Sequence, residues 1–206
     1  MSQINFGPPP VPAPDPRHDA ALASLDARRS VPMLHLAEPG PDQATLLRLL
    51  QSAVRVPDHG KRVPWRFLSI RGDARHALGE RLAARHRERD PDAGEALIEK
   101  DRGRFSHAPL IVVVVARLGP DPKIPEQERL LSAGCVCFAL LQAAQALGYR
   151  GCWLTGWAAY DPEIARWFGL DAHEHIVGFI HLGTPTLAVP ERERPDPRDL
   201  LSEWAP

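Results

Sequence analysis

The apolar positions along the chain fall into a few readable patterns. Pro109 to Ala116 is an unbroken, mostly β-branched run, which predicts a central strand buried on both faces. Ile176 to Leu182 alternates and closes on Gly183-Thr184-Pro185, a second long strand. Shorter strands are predicted at Phe67–Ile70 and Arg150–Thr155. Helical spacing places Ala21, Leu22 and Leu25 on one face, with the helix ending in Arg28-Arg29-Ser30 before Pro32. A second helix carries Leu46, Leu47, Leu49, Leu50, Ala53 and Val54 behind an Asp42 cap, and a third carries Leu78 and Leu82 behind Asp73. Asp161-Pro162-Glu163 opens a short helix with a cap, a proline at its first position and an acid in its first turn. Helices and strands are mixed without regular βαβ units, so the class is α+β.

One helix differs from the others. Residues 126–147 are small and apolar on most sides and stop at Gly148. A helix apolar all round is expected at the centre of something larger than one domain, so it predicts an oligomer interface.

Composition narrows the function classes. The 206 residues carry a formal net charge of −1, which argues against a protein that binds nucleic acid by neutralising many phosphates. No apolar run reaches the roughly 18–20 residues of a membrane span, and no basic stretch followed by an apolar one opens the chain. Three Cys form no disulfide framework, and Cys135 and Cys137 point in different directions on one helix, as filler in a reducing cytoplasm would. Six prolines between Pro8 and Pro16 predict an extended or disordered arm over residues 1–17, ahead of a single domain at 18–206. The charge-rich stretch 85–107 reads as a variable helical lid.

The chain has no GxGxxG after a strand, no Walker A loop and no GxSxG elbow. His173-x-His175 lacks partners at metal spacing and reads as a polar loop. Three sets of residues remain. Arg28-Arg29-Ser30 can hold a phosphate through guanidinium forks and a hydroxyl, or complement the end of its helix. The stretch Ala53–Ile70 holds Arg55 and His59 in a loop too rich in donors for a core, either one wall of a site or an exposed basic turn. Trp153-Leu154-Thr155-Gly156 is a strand end where glycine lets backbone N–H groups approach a planar ligand, or a plain turn.

In this order and spacing the sets resemble the nitroreductase family, in its compact bacterial branch. The likeness runs through RRS at 28–30, LAEPGP at 36–41, RVPDH and PWRF at 55–67, APLIVVVVA at 108–116, KIPEQE and SAGC at 123–135, GCW at 151–153 and VGFIHLGTP at 177–185. It implies an α/β sandwich with a mixed sheet flanked by helices, and a homodimer with FMN at the interface. It implies hydride transfer by ping-pong kinetics from NADH or NADPH through FMN to a nitroaromatic, a quinone or a similar small acceptor. Under it, Arg28, Arg29 and Ser30 hold phosphate and ribityl, Arg55 and His59 reach the partner's flavin, and Trp153, Leu154 and Thr155 pass the ring. No side chain is needed as a catalytic nucleophile, and no metal. A second reaction on the same flavin fold (a biosynthetic dehydrogenase, a reductive dehalogenase) or a flavin-binding protein of low turnover are the alternatives. Two positions depart from the family pattern: Val63, where an amide is usual, and Leu154, where a basic residue is common. Arg192 and Arg194 are further candidates for the phosphate, and Arg55, Lys61 or Arg62 for the charge near the ring.

Overall fold

The computed structural model describes residues 16–206. The β-branched run becomes β3 (Leu110–Arg117), whose residues from Leu110 to Ala116 are all buried. It lies between β2 (Trp65–Arg71) and β5 (Glu174–Pro185), antiparallel to both. The far edge of β5 is shared by β4 (Arg150–Leu154) and the two-residue β1 (Leu36–Ala37), again antiparallel. The expected mixture of strand directions reduces, among the described residues, to one isolated parallel bridge between Ser30 and Gly151.

Because successive strand residues face opposite ways, β3 and β5 divide the core in two. Val112, Val114, Ile180 and Leu182 pack with α2 (Gln43–Ala53) and α5 (Glu126–Ala146). Ile111, Val113, Val115 and Phe179 pack with α3 (Asp73–Arg89), with α6 (Pro162–Trp167) and with Phe105, just beyond α4 (Glu95–Arg102). Helices cover both faces, as α+β patterning requires. Asp42 and Asp161 cap α2 and α6 as read from the sequence, whereas α3 is preceded by Gly72 at φ 53 and Asp73 is its first residue.

Some expected surfaces differ. α1 (Pro16–Asp26) ends two residues before Arg28, and its Leu22 and Leu25 are exposed. The stretch 85–107 supplies Ile98, Asp101 and Phe105 to the interior. The tail after a short 3-10 turn at Pro197–Asp199 leaves Leu200, Leu201 and Trp204 exposed. By length and composition α5 could cross a bilayer, but one side packs on the sheet through Val136, Cys137, Leu140 and Ala144. Its other side leaves Leu131, Cys135 and Phe138 bare.

His181 is fully buried on the α3 side of β5, stacked on Phe105 with centroids 5.9 Å apart and planes 9° apart. Neither ring nitrogen has a partner among the described residues. Burial, and then the charges of Arg104 and His107, push its pKa down from 6.5 to about 4. The unfolded histidine takes up a proton below its ordinary value while the native one resists, so stability is lost as pH falls through that window. His181→Leu removes this dependence: between pH 7 and 5 the wild type should lose about 2 kcal/mol more than the variant. Urea midpoints at the two pH values check this, and equal losses would contradict it.

Candidate functional site

The bridge between Ser30 and Gly151, with the Val31 N–H donating to the Gly151 carbonyl at 3.1 Å, seats the Arg28-Arg29-Ser30 segment alongside β4. Two of the three sets read from the sequence are therefore neighbours. Arg28 donates to the Ser30 hydroxyl at 3.2 Å, and Arg29 to the Arg28 carbonyl at 3.1 Å. The irregular tail after β5 brings up two more guanidiniums. Glu191 ties Arg29 to Arg194, the latter through Nε at 3.0 Å. Burial, then the charges of Arg194, Arg192 and Arg29, hold the Arg28 guanidinium below the ordinary arginine pKa. A cavity of about 490 Å³ opens among Leu25, Asp26, Arg28, Arg29, Glu191 and Arg194. Four neighbouring arginines, of which only Arg29 and Arg194 are paired with Glu191, make a place suited to an anion, and guanidinium forks match phosphate oxygens.

The other end of β4 is shaped by a bulge. Between Val114 and Val115 the β3–β5 register shifts, leaving Val177 of β5 unpaired. Its carbonyl accepts the Trp153 indole N–H at 3.1 Å. The indole lies across Gly178, where an added Cβ would stand 1.9 Å from Nε1, so only glycine fits beneath it. Trp153 thus packs between β5 and Gly134 of α5, while Leu154 faces the opposite way, into the cluster of Val31, Leu36 and Cys152. The Leu154 side chain is half-buried in that cluster, which leaves the backbone as the polar part of this position. Pairing stops at Leu154–Phe179. Beyond it, among the described residues, no acceptor takes the N–H of Thr155, Gly156 or Trp157. This open row of donors is suited to a polar ring edge or a developing negative charge.

The third set lies elsewhere. The Ser132 hydroxyl of α5 donates to the Pro57 carbonyl, and His59 pairs with Glu128 at 2.6 Å. Arg55 is exposed. These residues sit at the N-terminal end of α5. Arg28–Ser30 sit at its C-terminal end, where Gln145 donates to the Ser24 carbonyl of α1 at 2.6 Å. From Glu128 to Gln145 is about 25 Å at 1.5 Å per residue. In one chain the two sets do not converge on one phosphate.

Past His59 the loop is strained. Lys61 and Val63 have φ of 53° and 48°, a region costly for a β-branched residue. Asp58 holds it in place by accepting the N–H of Arg62 at 3.0 Å and of Val63 at 2.8 Å. Arg62 is paired with Asp121 at 2.6 Å. His173 and His175 join no metal-binding cluster among the described residues.

Residues 25–184 match the Nitroreductase family. The chain belongs to the nitroreductase family. It is 38% identical over 185 residues to the Escherichia coli K12 protein named "Putative NAD(P)H nitroreductase YdjA", covering 88% of this chain and 98% of that one. Among solved structures it resembles a nitroreductase-like family protein from Bacillus cereus, with a TM-score of 0.75, 22% identity and coverage of 88% and 94%. It also resembles a mutant of the FMN- and NADPH-dependent nitroreductase NfnB from Sphigopyxis sp. strain HMH, with a TM-score of 0.67, 20% identity and coverage of 89% and 98%. Membership makes the chain a flavoenzyme of the oxidoreductase class.

Sequence reasoning missed the bulge at Val177, the seat at Gly178 and the pairing of Glu191 with Arg29. The glycine beside Val177 was the available signal. Relief of strain gives a direct test of the loop: asparagine tolerates the left-handed region, so Val63→Asn should stabilise the protein by about 1 kcal/mol. The denaturant midpoint at pH 7 measures it, and a lower midpoint would contradict the strain.

Proposed function

We propose that this chain is an FMN-dependent NAD(P)H oxidoreductase working as a homodimer. In it, each flavin lies between the C-terminal end of one α5 and the N-terminal end of the other. The observation that carries this reading is the separation along α5, about 25 Å, between the arginine cluster and the Arg55–His59 loop. A two-fold axis across α5 pairs the helices antiparallel and buries Leu131, Cys135 and Phe138 against their copies. That pairing brings the Arg55 and His59 of one chain to the phosphate end of the other.

The residues present fit FMN. Arg28, Arg29 and Ser30, with Arg194 and Arg192 beside them, would hold the phosphate. The strand end at Thr155–Gly156 would offer its free N–H groups to the ring edge. Trp153, fixed by Val177 and Gly178, keeps that edge rigid. When bound, FMN supplies hydride acceptance and donation, which no side chain here can. The chain's own residues would bind it, orient it and set the charge around it. With FMN so held, the chain would work by ping-pong kinetics, with NADH or NADPH as donor and a nitroaromatic, a quinone or a compound of that class as the small-molecule oxidant.

Purified protein given FMN should turn yellow and bleach when NADH or NADPH is added anaerobically. A chain that stays colourless and takes up no FMN would overturn the reading. The phosphate contacts should make FMN bind at least ten-fold more tightly than riboflavin, since charged hydrogen bonds contribute about 1.5–3 kcal/mol. Arg28→Ala should erase most of that difference while leaving riboflavin affinity near the wild-type value. Equal loss for both ligands would place Arg28 away from the phosphate.

A further inference from the structure

A buried ionic cluster lies between the stretch 85–107 and the open N–H row. Asp101, only 3% exposed, accepts from Arg104 Nε at 3.0 Å and Nη2 at 2.6 Å, from Trp157 Nε1 at 2.7 Å and from His86 Nδ1 at 2.6 Å. Burial alone would raise the carboxyl pKa, but the bonds from Arg104, Trp157 and His86 outweigh it and hold the group ionised below its ordinary value. A buried carboxylate is tolerated when it is paired and bonded in this way.

Arg104 uses two of its three nitrogens on Asp101. Nη1 lies 2.9 Å from where a Cβ on Gly156 would stand, and Gly156 has φ 62. The guanidinium therefore rests against the bare α-carbon in the middle of the N–H row. The carboxylate binds the other side, so the positive end of the pair faces the turn. Trp157, the next residue, is fixed by the same carboxylate and carries Arg89 over its ring at 4.3 Å. Arg89 is itself paired with Asp161 at 3.3 Å, so the charge that backs the turn on a rigid support is the Arg104 guanidinium.

We propose that Arg104, oriented by Asp101, is a positioning residue that sets a positive potential behind the Thr155, Gly156 and Trp157 N–H groups and so favours the electron-rich, reduced form of the ring docked on them. This rests on the flavin reading above and gives the charge near the ring to a residue outside the Arg55–Arg62 loop. A fixed charge in a site of low dielectric acts on the form that carries the opposite charge. Its signature is therefore the ratio of affinities for reduced and oxidised flavin, not affinity as such.

The test uses the full chain reconstituted with FMN, with the two-electron midpoint potential measured by anaerobic dye equilibration. Arg104→Met should lower the preference for reduced over oxidised FMN at least ten-fold, a midpoint about 30 mV more negative for a two-electron couple. Arg104→Lys should recover most of the shift. Gly156→Ala keeps the arginine but pushes its guanidinium away, and should shift the potential in the same direction. If Arg104→Met and Gly156→Ala both bind FMN at the wild-type potential, Arg104 is only a structural partner of Asp101 and the proposal fails. Should Arg104→Met not fold, an unchanged potential in Gly156→Ala overturns it alone. A wild-type chain that binds no flavin overturns the functional reading itself, and that outcome is separate from a bound flavin with an unmoved potential.

Discussion

The length of α5 is the constraint on which the rest depends. A helix of 21 residues extends about 30 Å. Its sheet-facing side is fixed by the core of β3 and β5, so both ends are anchored relative to the strands. At the C-terminal end the chain turns through Gly148 into β4, beside which Arg28–Ser30 is bridged. At the N-terminal end Ser132 and Glu128 hold the Pro57–His59 loop. Each chain carries the arginine cluster near one end of α5 and the Arg55–His59 loop near the other, with the exposed Leu131, Cys135 and Phe138 between them. In the proposed dimer, burial of that stripe against a copy would join the two sets at one flavin.

The sheet contributes the second fixed element. A single residue of β5 left unpaired with β3, Val177, accepts the Trp153 indole and turns it into a brace. The ladder's failure at Leu154 is what frees the N–H groups that follow it. Bulges often occur beside functional sites, and here the turn after β4, next to the bulged strand, is backed by the Asp101–Arg104 pair. The stretch 85–107 is in this respect a support as well as a cover, because Asp101 binds residues from α3, from the turn after α4 and from the turn after β4.

Much of the fold was legible because its signals are local. The Leu110–Ala116 run, the caps at Asp42 and Asp161 and the Gly148 stop act within a few residues. The two-sided character of α5 was legible as a helix apolar all round, and the structure divides it into a core face and a bare face. The candidate site was legible in part, since Arg28–Ser30 and Gly151–Trp153 do lie together. What escaped depends on partners far apart in the chain. Asp101 and Trp157 are 56 residues apart, and Trp153 and Val177 are 24. No periodicity reports such pairs. Leu154 read as a missing polar contact because Val31 and Leu36, against whose cluster it packs half-buried, are brought to it only by folding.

Mixed dimers test the shared site most directly. A chain carrying Arg28→Ala is combined with a chain carrying Arg55→Ala, and FMN binding is titrated against both parent homodimers. Two defective half-sites then meet at one flavin and two intact ones at the other. The account predicts that each parent binds weakly, while the mixed dimer regains one wild-type site per pair of chains. A mixed dimer that binds FMN as weakly as its parents at both sites would contradict it.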